Sequence, residues 1–232
     1  MRRALTTFLA LATAPAWAME NDDPLLASVL VEELEWRADG GDSGAGWDIQ
    51  GWLGYDINKF RFKTEGEWDD DENVEAADFQ ALYSRAIAPY WDIQAGWRRE
   101  LEPGEDRDWA VIGIQGLVPW HFEVDASLFV GESGRTAARV EAEYEFLLTQ
   151  RWVLTPKLEL NAHGKDDPER GIGSGLSNLE TGLRLRYEIR REFAPYIGIH
   201  HERLFGDTAD YAEAEGHGDT ETRWVIGLRA WF

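Results

Sequence analysis

The sequence contains no cysteine, and only two methionines and eight prolines stand among its 232 residues. Without cysteine there is no disulfide framework and no thiolate metal site, so stability must come from packing and hydrogen bonding. Basic residues are scarce, 23 Lys and Arg against 44 Asp and Glu for a formal net charge of −21. That balance speaks against a nucleic-acid partner, whose phosphates need basic side chains. It leaves cations as plausible partners, or else an acidic surface that only aids solubility. Long apolar runs are missing too: no segment approaches the roughly 20 residues of a membrane-spanning helix. The run from Ala4 to Ala14 is too short, follows Arg2 and Arg3, and precedes Pro15 and the small-residue site Ala16-Trp17-Ala18. It reads as a cleavable secretion signal over residues 1–18, leaving 19–232 as the mature chain.

What the mature chain has in abundance is period-two alternation, the signature of a strand. In the last segment Trp224, Ile226, Leu228, Ala230 and Phe232 share one face, while Arg223 and Arg229 lie on the other. Leu179, Leu183, Leu185, Tyr187 and Ile189 oppose Glu180, Arg184, Arg186 and Glu188 in the same way. Val140, Tyr144 and Phe146 oppose Arg139, Glu141, Glu143 and Glu145. Helical spacing would scatter these charges, whereas strand spacing sorts them. About twelve such strands follow, near 26–37, 47–56, 59–69, 76–87, 90–101, 108–118, 120–131, 136–148, 151–163, 177–189, 193–204 and 221–232. Short turns alternate with longer Asp/Glu/Gly-rich loops. An even count with that asymmetry fits an all-β, transmembrane antiparallel barrel of the bacterial outer membrane, with both termini on the periplasmic side. Trp36, Trp47, Tyr55, Trp68, Tyr90, Trp91, Trp109, Trp120 and Trp152 fall near strand ends, as interfacial girdles require.

A secreted β-sandwich would also alternate, but its inner faces would have to be apolar, and here the alternative to an apolar face is a charged one. On the barrel reading the lumen holds Glu33, Glu35, Arg37, Arg61, Lys63, Glu65, Glu67, Arg98, Glu123, Asp125, Lys157, Glu159 and the charged residues of the segments above.

Several long blocks resemble the copper resistance protein B family (CopB or PcoB): 62-FKTEGE-67, 81-ALYSRAIAPYWDIQAGWR-98, 127-SLFVGESGRTAARVEAEYEFLLTQR-151, 164-GKDDPERGIGSGLSNLETGLRLRYEIRREFAPYIG-198 and 223-RWVIGLRAWF-232. The resemblance spans nearly the whole mature chain. It implies an outer-membrane barrel of copper resistance that binds copper ions and handles their passage, without enzymatic activity. A general porin and an outer-membrane lipid hydrolase are the alternatives. Expected partners are outer-membrane lipid and lipopolysaccharide, copper ions and a periplasmic copper-handling protein. One departure is that members often carry a Met- and His-rich N-terminal segment, whereas here 19-MENDDPLLASVL-30 follows the signal and Met19 is its one methionine. Soft sulfur capture of Cu(I) is therefore unsupported, and a site of His, Asp and Glu suits Cu(II).

Five histidines are present: His121, His163, His200, His201 and His217. Strand parity turns His163 and His200 inward, and pairing about the turn near Arg191 sets Gly182 opposite His200 and Glu180 opposite Glu202. His163, His200, Glu180 and Glu202 are thus either a copper site on three consecutive strands or ordinary members of a hydrated lumen. His217 sits in the acidic stretch 207-DTADYAEAEGHGDTE-221, which either attracts cations or is a solvated flexible loop. Asp69, Asp70, Asp71 and Glu72, or Glu102, Glu105, Asp106 and Asp108, either recruit divalent ions bridging to lipopolysaccharide or merely hydrate loop tips. His121 reads as an interface residue. The stretch 164-GKDDPERGIGSGLS-177 lacks a phosphate-binding pattern, and its glycines permit a fold back over the barrel mouth. For a hydrolase, Ser177 and His201 would both face outward, but pairing sets Thr181 opposite His201 and leaves Ser177 out of reach.

Overall fold

The computed structural model describes residues 23–39, 43–69, 74–101 and 106–232. The expected secretion signal, Met19 and the loop acids Asp70, Asp71, Glu72, Glu102 and Glu105 lie outside the described residues. Strands β1 (Leu26–Ala38), β2 (Ser43–Gly54), β3 (Asn58–Asp69), β4 (Val74–Ala88), β5 (Trp91–Leu101), β6 (Arg107–Val118), β7 (Phe122–Gly131) and β8 (Thr136–Glu143) pair in succession. The two-residue β9 (Phe146–Leu147) continues the line of β8, and β10 (Trp152–His163), β11 (Gly175–Tyr187), β12 (Phe193–Leu204) and β13 (Thr220–Trp231) complete the sheet. Pairing of β13 with β1 closes it, so the alternation has specified a closed antiparallel barrel of twelve strands, β8 and β9 counting as one. The seam extends to the last residue: Phe232 N–H donates to Val29 O (2.9 Å), and Val29 N–H donates to Phe232 O (3.0 Å).

The interruption between β8 and β9 has a local cause. Lys157 pairs with Glu143 and Leu154 with Phe146, which sets Pro156 opposite Tyr144. Tyr144 N–H donates to Pro156 O (3.2 Å), but proline has no N–H to return the bond. Two short turns trim the strands that follow them. Tyr90 after Pro89, and Trp120 and His121 after Pro119, adopt positive φ (69°, 78° and 66°). Proline at the first corner of a turn and positive φ at the second is type II geometry, and an aromatic side chain there carries backbone strain. Hence β5 and β7 begin at Trp91 and Phe122 rather than at 90 and 120.

The two faces sort as the alternation requires. Leu34, Trp36, Leu128, Val130, Ile197, Trp224 and Ile226 are exposed on the outside, whereas Glu35, Gln80, Ser84, Gln94, Arg184 and Arg186 are buried in the lumen. Of the register shifts in the sheet, two alter which residues line the lumen. In β1 the register steps from Val31↔Ile49 to Glu33↔Asp48, and in β11 from Asn178↔Asn161 to Leu176↔Ala162, leaving Glu32 and Ser177 as extra residues. Glu32 accepts a hydrogen bond from the luminal Gln50 (2.8 Å). Ser177, expected to face outward, is buried against His163 instead. Trp109, expected in a girdle, also turns inward and joins Leu82, Val111 and Phe129 in an apolar nucleus on one side of the lumen. Arg98 stacks over the Phe129 ring there, 4.7 Å from its centroid.

At the long-loop end, residues 164–174 fold back over the mouth, as their glycines permit. Arg170 pairs with Glu100 at 3.1 Å, Lys165 Nζ donates to Ser133 O at 2.9 Å, and Asp167 pairs with Arg107 and with Arg135. Burial acts to raise the Asp167 carboxyl, but its hydrogen bond to Arg107 and the charges of Arg107, Arg135 and Arg170 outweigh it and hold the group below the usual range. The acidic stretch beyond β12 is not the flexible loop its composition suggested. Helix α1 (Gly206–Glu215) occupies it and ends at Gly216 in the left-handed region (φ 90°). Thr208 of α1 is buried and accepts a hydrogen bond from Gly173 N–H (2.9 Å). A Cβ at Gly173 would lie 2.6 Å from Thr208 N, so only glycine permits this approach.

Tyr196 lies across Gly227 on the paired strand, where a Cβ would come within 2.5 Å of its phenol carbon and oxygen. Its hydroxyl donates to Glu35 (2.9 Å). Gly227→Val is expected to displace the ring and lower stability by about 1–3 kcal/mol, seen as an earlier unfolding midpoint in detergent. Gly218→Val, where a Cβ would make only ordinary contact with the Thr220 backbone at 3.5 Å, should leave the midpoint unchanged.

Candidate functional site

Register brings the acidic residues of the lumen into two rows. Glu33, Asp48, Glu65, Asp78 and Glu100 are directly paired, each with the next, across β1 to β5. Asp125, Glu141, Glu159, Glu180, Glu202 and Glu221 are likewise paired across β7, β8 and β10 to β13. Strands in a barrel tilt, so a row of direct partners climbs the wall. The second row starts three residues above the short-turn end of β7 at Asp125 and reaches the long-loop end of β13 at Glu221.

Like charges in directly paired positions lie about 5 Å apart at Cβ and destabilise the pairing. Basic side chains, several reaching across the lumen, offset this. Lys63 meets Asp125 at 2.6 Å, and Arg139 meets Glu159 at 3.0 Å and also Glu65 on the far wall. Arg98 bridges Asp78 (2.6 Å) and Glu100 (3.2 Å). Arg184 holds Glu33 at 2.6 Å and Glu35 at 2.9 Å, and Arg37 joins Glu33, Glu35 and Glu67. Arg223 pairs with Glu221 at 2.5 Å.

One step of the climb is different. Glu180 and Glu202 face each other, and among the described residues no lysine or arginine nitrogen is within ion-pair reach of either. Both accept from the single amide of Asn178 (3.0 and 2.9 Å), and His200 Nε2 stands 3.7 Å from Glu180. Two carboxylates, an imidazole and an amide thus share a place where the other steps of these two rows have a cation. A mid-lumen cavity of about 230 Å³ opens beside Glu180 and His200, and a vestibule of about 470 Å³ above it is lined by His163, Glu180, Glu202 and His217.

The expected pairings of Gly182 with His200, Glu180 with Glu202 and Thr181 with His201 are present. His163 stands apart from them. It pairs with Gly175, while Glu180 pairs with Glu159 four residues down β10, roughly 13 Å away along the strand at ~3.3 Å per residue. Its Nδ1 lies 2.7 Å from Ser177 Oγ, whose hydroxyl donates to Gly173 O (3.2 Å). With that proton committed, His163 Nδ1–H is the donor and Nε2 keeps its lone pair. Among the described residues, no three His, Asp or Glu side chains are already arranged as a metal centre. His217 lies beyond α1 at the vestibule rim, and His201 faces outward, hydrogen-bonded to Thr222 Oγ1 at 2.7 Å. His121 sits in its turn at the opposite end, away from the site. Ser177 and His201 lie on opposite sides of the wall, so these two do not form a nucleophile–base pair. Reading strands one at a time missed Asn178 as the bridge and Glu32 as a luminal group. Asn178 follows from parity with Glu180, whereas Glu32 needs the bulge.

The family model for copper resistance protein B precursor (CopB) matches residues 25–232, essentially the entire barrel. This chain belongs to the copper resistance protein B family. A copper resistance protein B homolog of Pseudomonas syringae pv. tomato is 43% identical over 212 residues, covering 91% of this chain and 72% of that protein. Copper resistance protein B of Escherichia coli is 42% identical over 212 residues, covering 91% and 71%. Among solved structures the barrel is similar to the NanC porin (TM-score 0.58, 10% identity, covering 88% of this chain and 99% of that one). It is also similar to the KdgM porin (TM-score 0.54, 13% identity, 88% and 99%). At such identities the likeness is one of fold.

For a CopB-family barrel packed this way, removing one buried cation should cost far more than removing one at the rim. Arg184→Met removes one of the two guanidiniums, with Arg37, that Glu33 and Glu35 share and is expected to destabilise by up to about 3–5 kcal/mol. Arg223→Met, at a quarter-exposed side chain, should cost at most about 1 kcal/mol. Urea midpoints in detergent check the contrast, and equal midpoints would contradict it.

Proposed function

We propose that this barrel resides in the bacterial outer membrane, binds Cu(II) in its lumen and passes it between the two faces. Its short-turn end faces the periplasm and its long-loop end faces outward. The observation that carries the reading is the Glu180–Glu202 step, two inward carboxylates beside His200 with no lysine or arginine partner. A divalent cation supplies the missing charge. Oxygen and imidazole ligands hold Cu(II), which heads the divalent affinity order, and without sulfur they hold Cu(I) less well. His163 and His217, on the vestibule wall, are the entry station from which the ion descends to Glu180, Glu202 and His200. The ligands are spread over two levels, which suits transit, since conduction needs binding weak enough to release the ion. A periplasmic copper-handling protein is the partner at the short-turn end, and lipid with lipopolysaccharide surrounds the wall.

Replacing His163 and His200 together by Ala should lower Cu(II) affinity in titration calorimetry and reduce copper tolerance of cells, while the heat-modifiable gel shift of the folded barrel persists. Glu180→Gln with Glu202→Gln should weaken binding at least as much. Affinity should fall on acidification, because protons compete with the metal for the same imidazole and carboxylate groups. Parent-like Cu(II) binding and protection by the His163/His200 double variant would overturn the assignment.

A further inference from the structure

Lys157 projects from the middle of β10 into the lumen, its side chain 13% exposed, and its ammonium is held by three carboxylates. Glu33 Oε1 lies at 3.2 Å, Asp48 Oδ2 at 3.3 Å and Glu141 Oε1 at 3.7 Å. Glu141 comes from the adjacent β8, but Glu33 and Asp48 come from β1 and β2, beyond β11, β12 and β13 in the barrel order. The side chain therefore crosses the lumen and ties two walls together. An ammonium is a compact monovalent cation, and three convergent carboxylates about 3–4 Å from it form the environment that a free cation would seek.

The cavities shrink from the long-loop end inward, and Lys157 lines the middle one. The vestibule of about 470 Å³ leads to the chamber of about 230 Å³, and toward the short-turn end a void bordered by Asp48, Glu141 and Lys63 measures about 50 Å³. Arg139, reaching Glu65 and Glu159, closes the same region from the other side.

We propose that Lys157 is a tethered cation that crosses the mid-lumen chamber to occupy a three-carboxylate cage, and so determines which ions can pass. With the ammonium in place the centre of the cage is filled and part of its negative charge is offset, so a monovalent ion arriving from the chamber meets an occupied site and a fixed positive charge. A divalent cation can compete for the carboxylates because it offers twice the charge. Lys157 is thus a specificity-determining residue, distinct from the ligands at Glu180 and His200. This rests on the reading that cations traverse this lumen.

The test is ion conduction by the purified full-length protein in planar lipid bilayers under a potassium chloride gradient. The parent is expected to be nearly silent. Lys157→Met should raise conductance at least about tenfold with a cation-selective reversal potential, and micromolar Cu(II) or Zn(II) should block that current by entering the vacated cage. Lys157→Arg, which keeps the charge, should stay closed. If the bare carboxylates prevent Lys157→Met from folding, as a missing heat-modifiable gel shift would show, the charge-balanced pair Lys157→Gln with Glu33→Gln takes its place with the same expectation of opening. A parent that already conducts as a wide pore would overturn the proposal, as would folded Lys157 variants with parent-like conductance. Opening by Lys157→Met while the His163/His200 variant binds Cu(II) normally would refute the copper assignment and leave the role of Lys157 standing. Normal copper behaviour with no opening would do the reverse.

Discussion

The constraint on which everything else depends is charge neutralisation inside a narrow closed sheet. Closing twelve strands sets inward residues in register, and the sequence then places carboxylate opposite carboxylate along two climbing rows. Such rows are unstable in a space too small for bulk water unless cations stand among them. The chain supplies most of these cations from its own strands, and the pairs that result span the lumen. Arg139 to Glu65, Lys63 to Asp125, and Lys157 to Glu33 and Asp48 each join strands that are far apart in the barrel order. The packing of this lumen is therefore electrostatic, apart from the apolar nucleus around Trp109 and Phe129. A buried pair of this kind contributes little net stability, yet losing one partner is costly.

The same constraint turns an omission into a candidate site. Glu180 and Glu202 lack the internal cation that the remaining steps possess, and an amide from Asn178 and the ring of His200 take up part of their hydrogen-bonding capacity. On the proposed reading such a site would take an external cation without rebuilding the barrel. The lid made by residues 164–174 and α1 then limits access from the long-loop end. Asp167 anchors that lid through Arg107 at the start of β6 and Arg135 just before β8.

Much of this was legible before the structure, because period two is a property of the residues themselves. Segments such as 178–189 and 223–232 sort charge from hydrocarbon so cleanly that strand, face and partner follow together, including the pairing of Glu180 with Glu202. Three features were hidden for definite reasons. The bulges at Glu32 and Ser177 add one residue to a strand and reverse local parity, a change set by the neighbouring strand. The distance between His163 and Glu180 depends on strand stagger, to which alternation is blind. Helix α1 carries few apolar residues, so its composition resembled a loop, and its order comes from the Gly216 terminus and the contact of Thr208 with Gly173.

The central claim is that an unneutralised carboxylate step with one imidazole receives the copper ion. Electron paramagnetic resonance of the protein loaded with one equivalent of Cu(II) addresses it most directly. The account predicts an axial, oxygen-rich spectrum with coupling to a single imidazole nitrogen, and loss of that coupling in His200→Ala with the rest of the barrel folded. A spectrum dominated by several nitrogens, or one that His200→Ala and Glu180→Gln leave unchanged, would place the ion elsewhere and contradict the account.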